Sequence, residues 1–151
     1  MPENSRPAWV GAFKRTEWEA PAVSEQGKQN RTVMLVDDSL TIRRSAELLL
    51  TQAGFDVISV ADGFDALGAV SDHVPDIILM DINMPRLDGY RACLLLKQNA
   101  LTCDIPIIML SGSNSPFDRA RGNLAGATSF LTKPFSGDEL LREVRTQLPA
   151  S

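Results

Sequence analysis

The stretch TVMLVDDS, residues 32–39, decides the fold. Val33 to Val36 run without a polar alternate and stop at two adjacent carboxylates, Asp37 and Asp38. Such a run suits a parallel strand covered on both faces, because a strand with one wet face would alternate polar and apolar residues. The pattern recurs as DVISV at 56–60, DIILM at 76–80, PIIML at 106–110 and TSFLT at 128–132. The run starts lie 23, 20, 30 and 22 residues apart, room for a strand, a turn and a helix of about three turns in each repeat.

Between the runs the helix punctuation is legible. Ser39 or Asp38 can cap a helix carrying Ile42, Ala46, Leu49 and Leu50, with Gly54 as its terminator. Asp62 precedes a short helix through Ala66 and Val70, and Asp88 opens one with Cys93, Leu94, Leu95 and Leu96. Ser115 followed by Pro116 is a cap with proline at the first helical position. Ser136 to Glu139 forms a capping box ahead of Leu140, Leu141, Val144 and Leu148.

Five parallel strands with right-handed crossovers leave an open sheet or a closed barrel, and five are too few for an eight-stranded barrel. The expected fold is therefore α/β: a (βα)5, flavodoxin-like, doubly wound parallel sheet of strand order 2-1-3-4-5 in an α/β/α sandwich. In such a sheet the functional crevice lies at the carboxyl ends of the strands. Residues 1–31, polar and carrying Pro2, Pro7 and Pro21, read as a flexible N-terminal tail before a domain at 32–151.

Composition narrows the function. The chain of 151 residues is 44% hydrophobic and 23% charged, as in an ordinary globular protein. Its net charge of -4 divides into +1 for the tail and -5 for the rest, which argues against direct binding to nucleic acid. No apolar run approaches the roughly 18 residues of a membrane span, so no membrane insertion is expected and a cytoplasmic location is the default. Cys93 and Cys103 are not spaced as a metal pair, and His73 is the single histidine, leaving no His-rich metal site and little scope for a catalytic triad. None of these three is assigned a function.

The polar residues that end the runs carry the chemistry. The first run ends in Asp37 and Asp38, the third in Asp81, the fourth in Ser111 and the fifth in Lys133. Aspartates could merely cap helices after strands, but three at neighbouring strand ends exceed what capping needs. Brought together they repel unless a cation sits among them, and Mg²⁺, a hard ion that takes oxygen ligands and keeps open positions, fits best. Those open positions suit a phosphoryl group, with Lys133 as a point charge, Ser111 as a hydroxyl donor and one Asp as the nucleophile.

At this point the residues carry a resemblance. VMLVDDS, DINMP around Asp81, SGS after the fourth run and LTKPF near the end resemble the receiver domain of two-component response regulators. The resemblance implies Asp81 as phosphoacceptor, and Asp37, Asp38 and Asp81 with the Asn83 backbone carbonyl as Mg²⁺ ligands. It further implies Ser111 and Lys133 as phosphoryl-stabilising groups, Phe130 as an aromatic switch and Pro134 as a proline preceded by a cis bond. TIRRSAELLL, ADGFDAL, MPRLDGY, FDRARG and LTKPFS are similar, more narrowly, to stand-alone receivers that serve chemotaxis-like control of type IV pilus twitching motility.

The expectation is thus a phosphorylation-switched signalling module rather than an enzyme. A chemotaxis-type histidine kinase would supply the phosphoryl group, and a protein partner, of the type IV pilus machinery on the narrower resemblance, would receive the output. Only 18 residues follow Lys133, enough for one helix, so protein binding is the expected output, by a monomer or a transient dimer. A flagellar chemotaxis receiver is the nearest alternative. A phosphatase with an aspartyl-phosphate intermediate is a rival of another class, but such enzymes resemble a DxD pattern where this chain has adjacent aspartates. A flavin carrier of similar fold would need phosphate donors where DDSLT is acidic. In the tail, Trp9 and Phe13 are four residues apart and Trp18 follows, so a short helix would present aromatic anchors for docking, against the plainer reading of a disordered extension.

Overall fold

The structure, a computed structural model, describes residues 30–149. The expected docking residues Trp9, Phe13 and Trp18 lie outside them. Among the described residues five strands alternate with five helices: β1 Thr32–Val36, α1 Leu40–Gln52, β2 Asp56–Val60, α2 Gly63–Asp72, β3 Ile77–Asp81, α3 Gly89–Lys97, β4 Ile107–Ser111, α4 Pro116–Ala125, β5 Ser129–Thr132 and α5 Gly137–Gln147. All pairings are parallel and the strand order is β2-β1-β3-β4-β5, as expected.

Alternate residues of each strand serve opposite layers, because successive Cβ atoms point to opposite faces. Met34, Val36, Ile78, Met80, Ile107 and Met109 pack with α2, α3 and α4 through Ala66, Val70, Cys93, Leu96 and Ala125. Val33, Leu35, Ile77, Leu79, Ile108 and Leu110 pack with α1 and α5 through Ala46, Leu50, Leu140 and Val144. Both faces are covered, hence the absence of polar alternation. Each fully buried Leu or Ile contributes about 1.5–3 kcal/mol.

The helices start where their caps are. Ser39, Asp62, Asp88, Ser115 and Ser136 each accept a backbone N–H three residues on, and Ser136 and Glu139 complete the capping box with bonds of 3.0 and 2.8 Å. At the end of α1, Gly54 N–H returns to Thr51 C=O and Phe55 N–H to Leu50 C=O, both at 3.0 Å, closing the helix.

β3 and β4 each sit one residue later than the apolar runs indicate. Asp81 pairs with Leu110 and Ser111 with Thr132, so the ladder continues through polar residues that an apolar count leaves out. The same registers align the carboxyl ends of the central strands and bring the chemistry to one edge.

Candidate functional site

Asp37 follows β1 directly and is completely buried, with every polar handle occupied. Its N–H bonds Val60 C=O at 3.2 Å, and its Oδ1 accepts Ser39 N–H at 2.9 Å. Its Oδ2 takes Lys133 Nζ at 3.0 Å, and its carbonyl accepts Arg43 Nη1 at 2.8 Å. Asp81, the last residue of β3 and 5% exposed, receives the same ammonium at 3.1 Å on Oδ1. Asp38 is exposed beside them. Carboxylate oxygens of Asp37, Asp38 and Asp81 all lie within 4.8 Å of one another.

The approach of α3 shapes this corner. Gly89 N–H donates to Ile82 C=O at 2.8 Å, and a methyl group on Gly89 would overlap the Asp81 carbonyl oxygen. Only a residue without a side chain lets the helix start so close to the strand end.

Three carboxylates against one ammonium leave the cluster two negative charges in excess. Burial pushes the Asp81 carboxyl up to about 6; the Lys133 hydrogen bond works against that shift and the charges of Asp37 and Asp38 reinforce it. For Lys133, burial works against the ammonium but is outweighed by its hydrogen bonds to Asp37 and Asp81, so its pKa lies above the ordinary lysine value. The donor set fits a hard divalent cation: all oxygen, in net negative excess and partly open to solvent through Asp38.

The remaining expected residues lie on or just past β3, β4 and β5. Ser111 ends β4 and is buried, and its hydroxyl donates to Ser113 C=O at 2.7 Å and accepts Ser113 N–H at 3.0 Å. Asn83, two residues past β3, is exposed. Phe130 on β5 packs into the layer under α4. The Lys133–Pro134 peptide bond is cis. Lys133 and Pro134 also form one wall of an apolar cavity of about 610 Å³ between α1 and α5, whose other walls include Ile42, Leu49, Phe135 and Leu140. The carboxylates do not line it.

Three participants escape a reading of the sequence. Arg43, six residues beyond Asp37, lies on a helix with no mark that it turns back to a carbonyl. Ser113 has the look of an ordinary turn serine. Gly89 follows the Asp88 cap, and nothing beside it in the sequence marks the backbone it approaches.

Comparison with known proteins agrees with this geometry. A family model described as the response regulator receiver domain matches residues 33–145. Protein PilG of Pseudomonas aeruginosa is 49% identical over 126 residues, 83% of this chain and 93% of that protein. The chain spans about half the length of the transcriptional regulators it also matches, such as ycf27 of Porphyridium aerugineum, at 39% identity and 49% of that protein. Among solved structures, chemotaxis protein CheY4 of Vibrio cholerae superposes with a TM-score of 0.78 at 33% identity, covering 80% of this chain and 100% of that one. The receiver domain of sensor histidine kinase PA1611 of Pseudomonas aeruginosa, which has a magnesium ion coordinated in its active-site cleft, gives 0.73 at 32% identity, over 78% and 97% of the two chains. With an acidic crevice at the carboxyl ends of a 2-1-3-4-5 sheet and a family match over most of its length, this chain belongs to the response regulator receiver domain family.

Proposed function

We propose that the chain is a stand-alone phosphoacceptor, phosphorylated on Asp81 by a histidine kinase and acting through protein contacts. One observation carries this reading: a nearly buried aspartate at a strand end, bonded to Lys133, with carboxylate oxygens of Asp37 and Asp38 within 4.8 Å of its own. Asp37, Asp38, Asp81 and the Asn83 carbonyl would hold Mg²⁺, which when bound supplies neutralisation of the phosphoryl oxygens. The Asp81 carboxylate attacks phosphorus, and the donor imidazole nitrogen keeps the electron pair of the broken N–P bond. Lys133 moves its ammonium from the carboxylates to a phosphoryl oxygen, and Ser111 turns its hydroxyl to another. Phe130 follows Ser111 and alters the surface that a partner meets.

The PilG likeness supports twitching motility as the process controlled, through a chemotaxis-type kinase and a partner of the pilus machinery. A cytoplasmic location accords with the finding that, among the described residues, no helix is long and apolar enough to cross a membrane. The protein is a substrate of its kinase rather than an enzyme, with at most slow loss of its own phosphate. The CheY4 likeness favours flagellar chemotaxis as the second reading.

Intact mass after incubation with acetyl phosphate tests the chemistry. A single phosphoryl adduct that requires Mg²⁺ and is absent from Asp81→Asn is expected. An adduct on Asp81→Asn, or one indifferent to Mg²⁺, overturns the assignment. Surface twitching compared with swimming in a strain lacking the gene separates the two processes.

A further inference from the structure

Helix α4 rests on the sheet through little apolar surface: of its ten residues, Gly122 and Ala125 are the buried ones. The Phe130 ring fills the space beneath it. A methyl group on Gly122 would overlap Phe130 Cζ, so the ring is seated where the helix has no side chain. The Arg119 guanidinium covers a face of the same ring, 5.4 Å from its centroid. Arg119 is itself tethered, its Nε donating to Asn114 Oδ1 at 2.8 Å. Asn114 belongs to the loop leaving Ser111, a loop folded by the Ser111 to Ser113 bonds and by Ser115 N–H to Ser113 Oγ at 3.2 Å.

A serine hydroxyl has one proton to give. While Ser113 C=O holds it at 2.7 Å, Ser111 cannot donate to a phosphoryl oxygen. From these contacts we propose that Arg119 is a positioning residue that couples Ser111 to Phe130. Tied to Asn114 and stacked on the ring, it stabilises the conformation in which the Ser111 hydroxyl is held by Ser113. Turning that hydroxyl to a phosphoryl group releases Ser113, loosens the 113–115 loop, withdraws Asn114 from Arg119 and frees the ring from its seat. The consequence for signalling rests on the phosphoacceptor reading; the contact itself does not. An interaction made in one of two conformations shifts their equilibrium by its own worth, for an exposed cation–π contact about two- to five-fold.

The test uses the full chain with ring-13C-labelled phenylalanine, which labels six residues without adding bulk at the Cζ that faces Gly122; the Phe130 signal is assigned by Phe130→Leu. In the protein without Mg²⁺ or beryllofluoride, Arg119→Gln moves the Phe130 resonance toward the position it takes when both are added. The same variant tightens beryllofluoride binding about two- to five-fold. Arg119→Lys, which keeps a cation, lies between variant and wild type, and Gly122→Ala moves the resonance further because the ring must leave. Arg121→Gln, whose guanidinium stacks on Tyr90 at 4.4 Å, changes neither readout. An unmoved Phe130 resonance in Arg119→Gln, or weaker beryllofluoride binding, overturns the proposal. A wild type that does not bind beryllofluoride with Mg²⁺ refutes the phosphoacceptor reading instead, and the Arg119 contact is then judged on the resonance alone.

Discussion

The carboxylate crevice and helix α4 are held in opposite ways. In the crevice, Asp37 has its amide, its carbonyl and both carboxylate oxygens bonded, each to a different element or loop. Helix α4 buries a glycine and an alanine while Phe117 and Leu124 stand 73% and 85% exposed. The contrast fits the two tasks of the proposed function. Phosphoryl transfer depends on groups fixed before the reaction, whereas a surface that reports on it must be displaceable at small cost.

Four experiments break or sharpen that contrast. The largest effect is expected from Leu50→Ala. Leu50 is fully buried and anchors α1, the helix that carries Arg43 and follows Ser39, so urea unfolding should show a loss of about 3 kcal/mol. A value near zero would mean that the crevice side is no more firmly packed than α4.

Next comes the metal-free pH profile. The Asp81 carboxyl in the folded chain titrates near 6, against an ordinary value of about 3.9 when unfolded. Between these values the folded state keeps a proton that the unfolded state has lost, so stability falls as pH rises and levels off above about 6. Thermal unfolding from pH 4 to 8 should show that fall in the wild type, and Asp81→Asn should remove it. Mg²⁺ in the wild type should weaken it, because the ion favours the ionised carboxylate.

Cap removal separates the two helices that flank β5. Ser136→Ala on α5 should lower global stability by about 1 kcal/mol, since that helix is anchored by the fully buried Leu140 and Val144. Ser115→Ala should act on α4 locally, seen as faster amide exchange within 116–125 with a smaller global change. Equal global losses would contradict the picture of a lightly seated α4. The smallest effect belongs to Leu124→Ala, expected within about 0.5 kcal/mol in the same urea assay.

How much of this was legible depended on the range of the interactions involved. The strands announced themselves because both sheet faces are covered, and each helix start was readable because a cap and the N–H it accepts lie three residues apart. Asp37, Asp38, Asp81, Ser111 and Lys133 stood out as polar residues at the ends of apolar runs. The ends of β3 and β4 were missed by one residue for the same reason: their last members are the polar ones, and a pairing ladder is indifferent to side-chain polarity.

The sequence by itself therefore determined the alternation of strand and helix, the caps and the set of side chains that meet. Only the tertiary structure decided how they meet. Lys133 joins Asp37 and Asp81 across 96 and 52 residues of chain, Arg43 turns back to a carbonyl, Ser111 donates a hydrogen bond to the Ser113 carbonyl, and Phe130 lies between Gly122 and Arg119. Local patterns follow from the backbone periods of 3.6 and 2, which a sequence displays directly. Contacts such as these depend on where the crossovers set each helix against the sheet, and no local pattern encodes that placement.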